Sequence, residues 1–290
     1  MPAPYPAGPG RHAAPAALRV LSASPDVPLI FGADAGVMPE RHVVVEPVMG
    51  TMLSLDVRSP APPPEAAVDA LLALLRDVDA TYSTYRADSV ISRLRRGALA
   101  RGAAPAEVRA VLTACDDLRA RTGGAFDAAV GTPRLDPSAF VKGWAVQRGA
   151  DLLTAWGLTD FCLSAGGDVV TRGGALPSPD WTVGIQHPRD RGAIAAVVSA
   201  TDLAIATSGA YERGAHITDP RDGRPPRGVA SVTVAGPDLG TADALSTAAF
   251  ALGPDGPEWT LTLAPYEALT ILDDGRVLST PGFPLAPVHA

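Results

Sequence analysis

Cysteine is scarce. Cys115 and Cys162 are the only two. The first falls on the apolar face of a helical stretch and the second in an apolar, strand-like one. Both read as small core residues, which argues against a disulfide framework or a thiolate metal site. Long apolar runs are missing as well: nothing approaches the roughly 18 consecutive apolar residues of a membrane span. Positive charge is the minority sign, with 24 Lys and Arg against 31 Asp and Glu. That balance argues against a sequence-independent nucleic-acid binder, which needs an excess of cations for phosphates. It leaves open a single nucleotide ligand, for which a few local groups suffice. The opening MPAPYPAGPGRHAAPAAL has no basic segment followed by a leucine-rich one, so no secretory leader is read there and a cytoplasmic location is expected.

What is present is enough apolar material, 47% of 290 residues, for one large domain or two closely packed lobes. Residues 1–41 are rich in Pro, Ala and Gly without sustained periodicity and read as a poorly ordered extension. A single domain is expected over 42–285, followed by a short tail, 286–290. HVVVEPVMGTMLSLDVR reads as two short strands around Glu46-Pro47-Val48-Met49-Gly50. Val68, Leu71, Leu72, Leu75 and Val78 recur at helical spacing between Glu65 and Tyr82. Pro105 to Arg121 is a second amphipathic helix with Gly123 just past its end, and Gly143 to Trp156 a third. After Asp160 the chain turns to short strands broken by Gly, Pro and Asp, with one more helix over Thr241–Leu252 and a last strand turning at Asp273-Asp274-Gly275. Helices dominate the first half and strands the second, a pattern of an α+β fold and not of a doubly wound one.

Several clusters carry possible chemistry, each with a plainer reading beside it. Ser164-Ala-Gly-Gly-Asp168 follows an apolar strand. Its adjacent glycines are either a backbone nest for a phosphate or a tight hairpin turn. Asp243 and Thr247 stand four apart in a helical stretch and project from one face. One carboxylate and one hydroxyl a turn apart can hold a hard cation such as Mg²⁺; alternatively Thr241 is an N-cap, Asp243 answers the helix dipole and Thr247 is incidental. Lys142, near a helix start in Asp136-Pro-Ser-Ala-Phe-Val-Lys142, is disfavoured by the dipole unless an anion sits close, or is simply solvated. The stretch 207–220 concentrates hydroxyls, Glu212, Arg213, His216 and Asp219, with His216 one of five histidines. Tyr85 in STYRADS and Phe126 in GGAFD either stack on a flat heterocycle or pack in the core.

These segments also form one ordered series: MGT (49–51), STYRADS (83–89), GGAFDAAVG (123–131), DPSAFVKGWAV (136–146), SAGGD (164–168), WTVGI (181–185), ATSGAYERGAHITDP (206–220) and SVTVAGPDLGTADALST (231–247). The series resembles the ApbE family of FAD:protein FMN transferases, over roughly residues 42–285. The resemblance implies a two-lobed α+β fold with mixed or antiparallel sheets, helices on their flanks and an FAD cleft between the lobes. It implies Mg²⁺ as cofactor, FAD as substrate, and transfer of FMN to a Thr or Ser hydroxyl of an acceptor flavoprotein with release of AMP. It places the metal on Asp243, Thr247 and the backbone carbonyl of Ala139. It places FAD against Met49, Tyr85, Ala125, Phe126, Asp127, Asp136, Lys142, Gly166, Gly167 and Ile217. His216 and Asp219 match its His-Ile-x-Asp-Pro segment and are base candidates, in that order, with Lys142 stabilising charge. Departures are Ser164 for the family's usual Asn, Ala210 for its usual Asp, and Pro137-Ser138 within the loop before Lys142. Two other activities fit the same residues: hydrolysis of FAD to FMN and AMP, with water in place of the acceptor, and flavin binding without catalysis.

Overall fold

The computed structural model describes residues 18–21, 39–129, 135–209 and 217–287. The first element is β1 (Arg19–Leu21). It lies inside the tract expected to be poorly ordered, yet its three residues pair antiparallel with the last strand of the chain. Strands β2 (Glu40–Val48) and β3 (Thr51–Ser59) form a hairpin. Leu53, Leu55 and Val57 of β3 are buried while Met52, Ser54 and Asp56 face outward, the period-two alternation of a strand with one face on a core. Their turn is Met49-Gly50, with φ of 50° and 71°, the left-handed pair that a two-residue hairpin loop demands.

Four helices follow. In α1 (Glu65–Tyr82), Leu71, Leu72, Leu75 and Val78 form the buried stripe their spacing predicts. The short α2 (Val90–Arg95) is capped by Ser89, whose hydroxyl accepts from the Ser92 N–H at 2.9 Å. Next comes α3 (Ala106–Arg121), after Pro105 at its N-cap. The fourth, α4 (Ser138–Ala155), begins five residues before Gly143, where its start was expected. Asp136 is the reason: its carboxylate accepts from the Ser138 N–H at 3.0 Å, and the amides of Phe140 and Val141 both bond the Pro137 carbonyl. Gly143 is thus an interior helical residue.

The second half supplies β4 (Phe161–Ala165), β5 (Asp168–Arg172), β6 (Trp181–His187), β7 (Asp190–Ala200), β8 (Ala204–Gly209) and β9 (Val229–Gly236). It continues with α5 (Leu239–Ala251), the short α6 (Gly256–Thr260), β10 (Glu267–Leu272) and β11 (Val277–Ser279). Nine strands make one sheet in the order β1-β11-β10-β9-β8-β5-β4-β3-β2, and β6–β7 is a separate ribbon. Every pair is antiparallel, so the antiparallel form of the expected α+β sheet is the one found.

Both faces of the sheet are covered between β4 and β10. Leu163, Val170, Ala204, Ala206 and Ala268 face the core beneath α1, α4 and α5. Their alternating neighbours Val169, Ile205 and Leu269 face a second core with Trp181, Val198 and Phe283 under the ribbon. Near the end of the described residues the Ala286 N–H donates to Val197 O at 2.8 Å. Cys115 is buried and Cys162 half-buried, and burial pushes both thiols up to about 12, which leaves them as packing groups.

One crossing positions everything that follows. α4 and α5 approach so closely that a Cβ on Gly143 would lie 2.5 Å from Leu239 O, and one on Gly240 would lie 3.1 Å from the Phe140 ring and the Trp144 Cβ. The first clash is with backbone and has no cheap relief. Gly143→Ala is expected to destabilise the fold by about 1–3 kcal/mol, the usual cost of overpacking. Urea unfolding checks this, and an unchanged midpoint would contradict the close crossing.

Candidate active site

A cavity of about 360 Å³ opens on the helical side of the sheet. Its walls come from the β2–β3 turn (Met49, Thr51), the end of α1 and the residues after it (Val78 to Tyr85), the segment after α3 (Ala125 to Asp127), the start of α4 (Asp136 to Lys142), the end of β8 (Thr207 to Gly209), the segment Ile217–Pro220 and one face of α5 (Asp243, Thr247).

The α5 face is set by its cap. Asp238, not Thr241, is the N-cap, accepting from the Thr241 N–H at 2.8 Å. The Leu239 N–H is held by Gln147 of α4 at 3.2 Å, a second tie between the two helices. Asp243 and Thr247 therefore fall on the face that meets α4 and β8. The Gly143 N–H donates to Asp243 Oδ2 at 3.3 Å, a contact that a side chain at 143 would obstruct. Ser208 bridges β8 to α5, its hydroxyl 2.9 Å from Ser246 Oγ and 3.1 Å from Thr247 Oγ1. Lys142 Nζ lies 2.9 Å from Asp168 Oδ2, the carboxylate being fully buried and the lysine side chain 24% exposed.

The electrostatics follow from burial. Burial pushes the Asp243 carboxyl well above the usual carboxylate range, and the neighbouring Asp168 charge adds to this against the opposing pull of Lys142. Asp168 is raised for the same first reason, with Lys142 opposing. Two carboxylates and one ammonium in a place shielded from water leave negative charge short of compensation. Among the described residues no group of three or more His, Cys, Asp or Glu gathers in metal-holding geometry. The donor set at α5 is instead one carboxylate with hydroxyl oxygens. That suits Mg²⁺, which takes few protein oxygens and fills its other positions with water or phosphate.

Carboxylates with raised proton affinity stabilise a fold when protonated, below the ordinary carboxylate range, and lose that contribution as pH rises through the folded value. Metal-free wild type is accordingly expected to lose more thermal stability between about pH 5 and about pH 8 than Asp243→Asn does. Adding Mg²⁺ with a phosphate ligand should narrow the gap for wild type alone. Calorimetric melts test this, and parallel pH curves for the two proteins would contradict it.

The cavity wall brings together eleven of the residues predicted from sequence: Met49, Tyr85, Ala125, Phe126, Asp127, Asp136, Ala139, Lys142, Ile217, Asp243 and Thr247. Of the two aromatics, Phe126 is buried while Tyr85 is 95% exposed at the rim, free to meet a planar group. Gly166 and Gly167 do not line the cavity. With φ of 56° and 87° they make the two-residue turn between β4 and β5. A Cβ on Gly166 would stand 3.0 Å from Thr51 Oγ1, so this turn backs the wall without forming it. Asp219 is also off the wall, bound by the Arg221 guanidinium at 2.6 Å, which holds its carboxyl below the usual range. His216 and Ala210 lie outside the described residues. Sequence reasoning assigned no role to Asp168 or Ser208. Asp168 carried one signal, a carboxylate immediately before the apolar pair Val169-Val170, where a charge needs a partner.

This architecture defines a class. The chain shares its fold with a flavin transferase ApbE from Vibrio cholerae (TM-score 0.75, 24% identity, covering 84% of this chain and 98% of that one). It shares it also with an ApbE protein from Thermotoga maritima (TM-score 0.74, 22% identity, covering 83% and 97%). The sequence goes further. The family model for the ApbE family matches residues 49–134 and 132–270, and the chain belongs to that family. An FAD:protein FMN transferase from Treponema pallidum is 30% identical over 314 aligned positions, covering 82% of this chain and 86% of that protein. One from Haemophilus influenzae is 27% identical, covering 66% and 74%. One from Rhodobacter capsulatus is 38% identical over 157 positions, 51% of this chain but only 30% of that longer protein.

Proposed function

We propose that this transferase moves FMN from FAD to a Thr or Ser hydroxyl of a separate flavoprotein, in a Mg²⁺-dependent reaction that forms a phosphoester and releases AMP. The observation that carries the proposal is the buried Asp243, one turn from Thr247 on α5, facing the same cavity as Lys142. The names of the relatives support the flavin chemistry. Asp243, Thr247 and the Ala139 carbonyl would hold the Mg²⁺, which when bound neutralises charge on the pyrophosphate of FAD.

The chain's own groups do the rest. Lys142, steadied by Asp168, offers its ammonium to a phosphoryl oxygen as charge shifts toward the leaving AMP. The exposed Tyr85 ring and the Met49 turn sit at the mouth and orient the planar end of the dinucleotide. The acceptor oxygen forms the new P–O bond, the bond from the FMN phosphorus to the bridging oxygen breaks, and AMP leaves with that electron pair. The acceptor proton goes to a base. Asp219 is a weak proton acceptor while bound to Arg221, so the role passes to His216, whose unperturbed pKa lies near 6.5.

No helix of the described residues is long and apolar enough to cross a membrane. The cytoplasmic location belongs to this proposal and is tested by cell fractionation. The activity is tested by weighing a candidate acceptor protein after incubation with enzyme, FAD and Mg²⁺. Gain of one FMN per acceptor with equimolar AMP is expected. Free FMN and AMP from FAD and water alone, with the acceptor mass unchanged, would make the protein a hydrolase. FAD binding with no AMP would make it a binder.

A further inference from the structure

A second depression of about 780 Å³ runs beside the cavity and shares Met49, Thr51 and Asp79 with it. Its other walls are Pro47 and Met52 of the β2–β3 hairpin, with Arg76 and Arg86 across from them. We infer that this trough docks an extended, carboxylate-bearing segment of the acceptor protein and leads its hydroxyl into the cavity. The inference rests on the transferase reading above.

Charge is the first argument. The chain carries a formal charge of −7, yet this trough presents two guanidinium groups against one carboxylate, Asp79. Among the described residues neither arginine is held in a buried pair. Among the described residues Arg76 has no ion pair, and Arg86 meets only Asp88, at 3.5 Å with both side chains exposed. Solvent-exposed pairs of that kind are weak, so Arg86 can exchange its partner. Arginine forks recognise carboxylates in two-point contacts.

Apolar surface is the second argument. Met52 is 53% exposed, and with Pro47 it gives the trough an apolar wall. Pro47 and Met52 are cross-strand partners, so the apolar contribution is contiguous and lines the same trough as the arginines. Arginine and methionine beside apolar surface are the residue types enriched where proteins meet. Position is the third argument. Lys142, Asp243 and Thr247 line the cavity and not the trough, so the groups suited to a dinucleotide's phosphates lie on the other side of the shared wall. An acceptor has to approach the phosphorus from outside, and the trough adjoins the cavity, with Met49 and Thr51 in the walls of both.

The test uses the full chain and two fluorescent synthetic peptides, each with a central Thr among apolar residues, one flanked by aspartates and the other by lysines. Anisotropy reads peptide binding, and flavin fluorescence reads FAD binding. The aspartate peptide is expected to bind wild type at least about tenfold more tightly than the Arg76→Glu/Arg86→Glu variant and more tightly than the lysine peptide does, with FAD affinity unchanged in the variant. Equal binding of the aspartate peptide to both proteins, or none to wild type, would overturn the inference. A loss of FAD affinity in the variant would also overturn it, since the trough would then belong to the dinucleotide. AMP release is followed separately. Arginine-dependent binding without any AMP from wild type would sink the transferase reading and leave the trough as a docking surface.

Discussion

Asp243→Ala is expected to lower AMP release from FAD roughly a thousandfold at saturating Mg²⁺, with the protein still folded. The magnitude follows from the role. A bound metal ion contributes several kcal/mol of transition-state charge stabilisation, and about 4 kcal/mol is a factor of roughly a thousand in rate. Folding should survive because the residue is a burden to the metal-free protein: it is 97% buried, being 3% exposed, with its proton affinity raised by burial and by Asp168. An alanine there removes a costly charge and leaves the Gly143 N–H without its acceptor, two opposing effects of similar size. Steady-state rates across a Mg²⁺ titration check the prediction. A variant within about tenfold of wild type, with an unaltered Mg²⁺ dependence, would remove the ion from α5.

Lys142→Met has the second large expected effect, and it is on stability as well as rate. The substitution keeps the apolar stem and deletes the ammonium 2.9 Å from Asp168, which is fully buried. Removing one partner of such a pair costs about 3 kcal/mol near neutral pH, because the remaining charge has no compensation. Asp168 can escape by protonating. Its folded pKa, already raised, rises further in the variant, so the fold keeps its stability below the ordinary carboxylate range and loses it as pH climbs through the new value. Denaturant midpoints at low and high pH should therefore diverge from wild type mainly at high pH. Adding Asp168→Asn to Lys142→Met should restore most of the stability and none of the activity. A deficit that does not change with pH, or a double variant as unstable as the single one, would show that the pair is not the balance described.

Much of the fold was legible because it is written locally. The stripe from Val68 to Val78 and the alternation through Leu53, Leu55 and Val57 each announce their element within a few residues, while the break read over Glu46–Gly50 narrows to Met49-Gly50 because β2 runs on through Pro47 to Val48. The start of α4 was not, since Asp136-Pro137 looks like a loop and Gly143 like a helix boundary. Only the closeness of α5 shows that Gly143 is there for packing. The strand order was not legible either: β3 pairs with β4 across about a hundred intervening residues that carry four α-helices, and β1, three residues long, exists through its ladder with β11.

The site divides the same way. Asp243 and Thr247 could be paired from the helical period alone. Asp168 could not be assigned a role, because its partner Lys142 arrives from another element. The glycine pair 166–167 offered two local readings, and the β4–β5 register supplies the turn that both require. Asp219 was the second base candidate, and its bond to Arg221, two positions on, was not legible from the segment.

Crystals grown with FAD and Mn²⁺ in place of Mg²⁺ give the most direct measurement, since Mn²⁺ scatters anomalously. One peak is predicted, within coordination distance of the Asp243 carboxylate and Thr247 Oγ1 and touching a phosphate oxygen of the dinucleotide. A dinucleotide bound in the cavity with no peak between those two side chains, or with its peak elsewhere, would contradict the account.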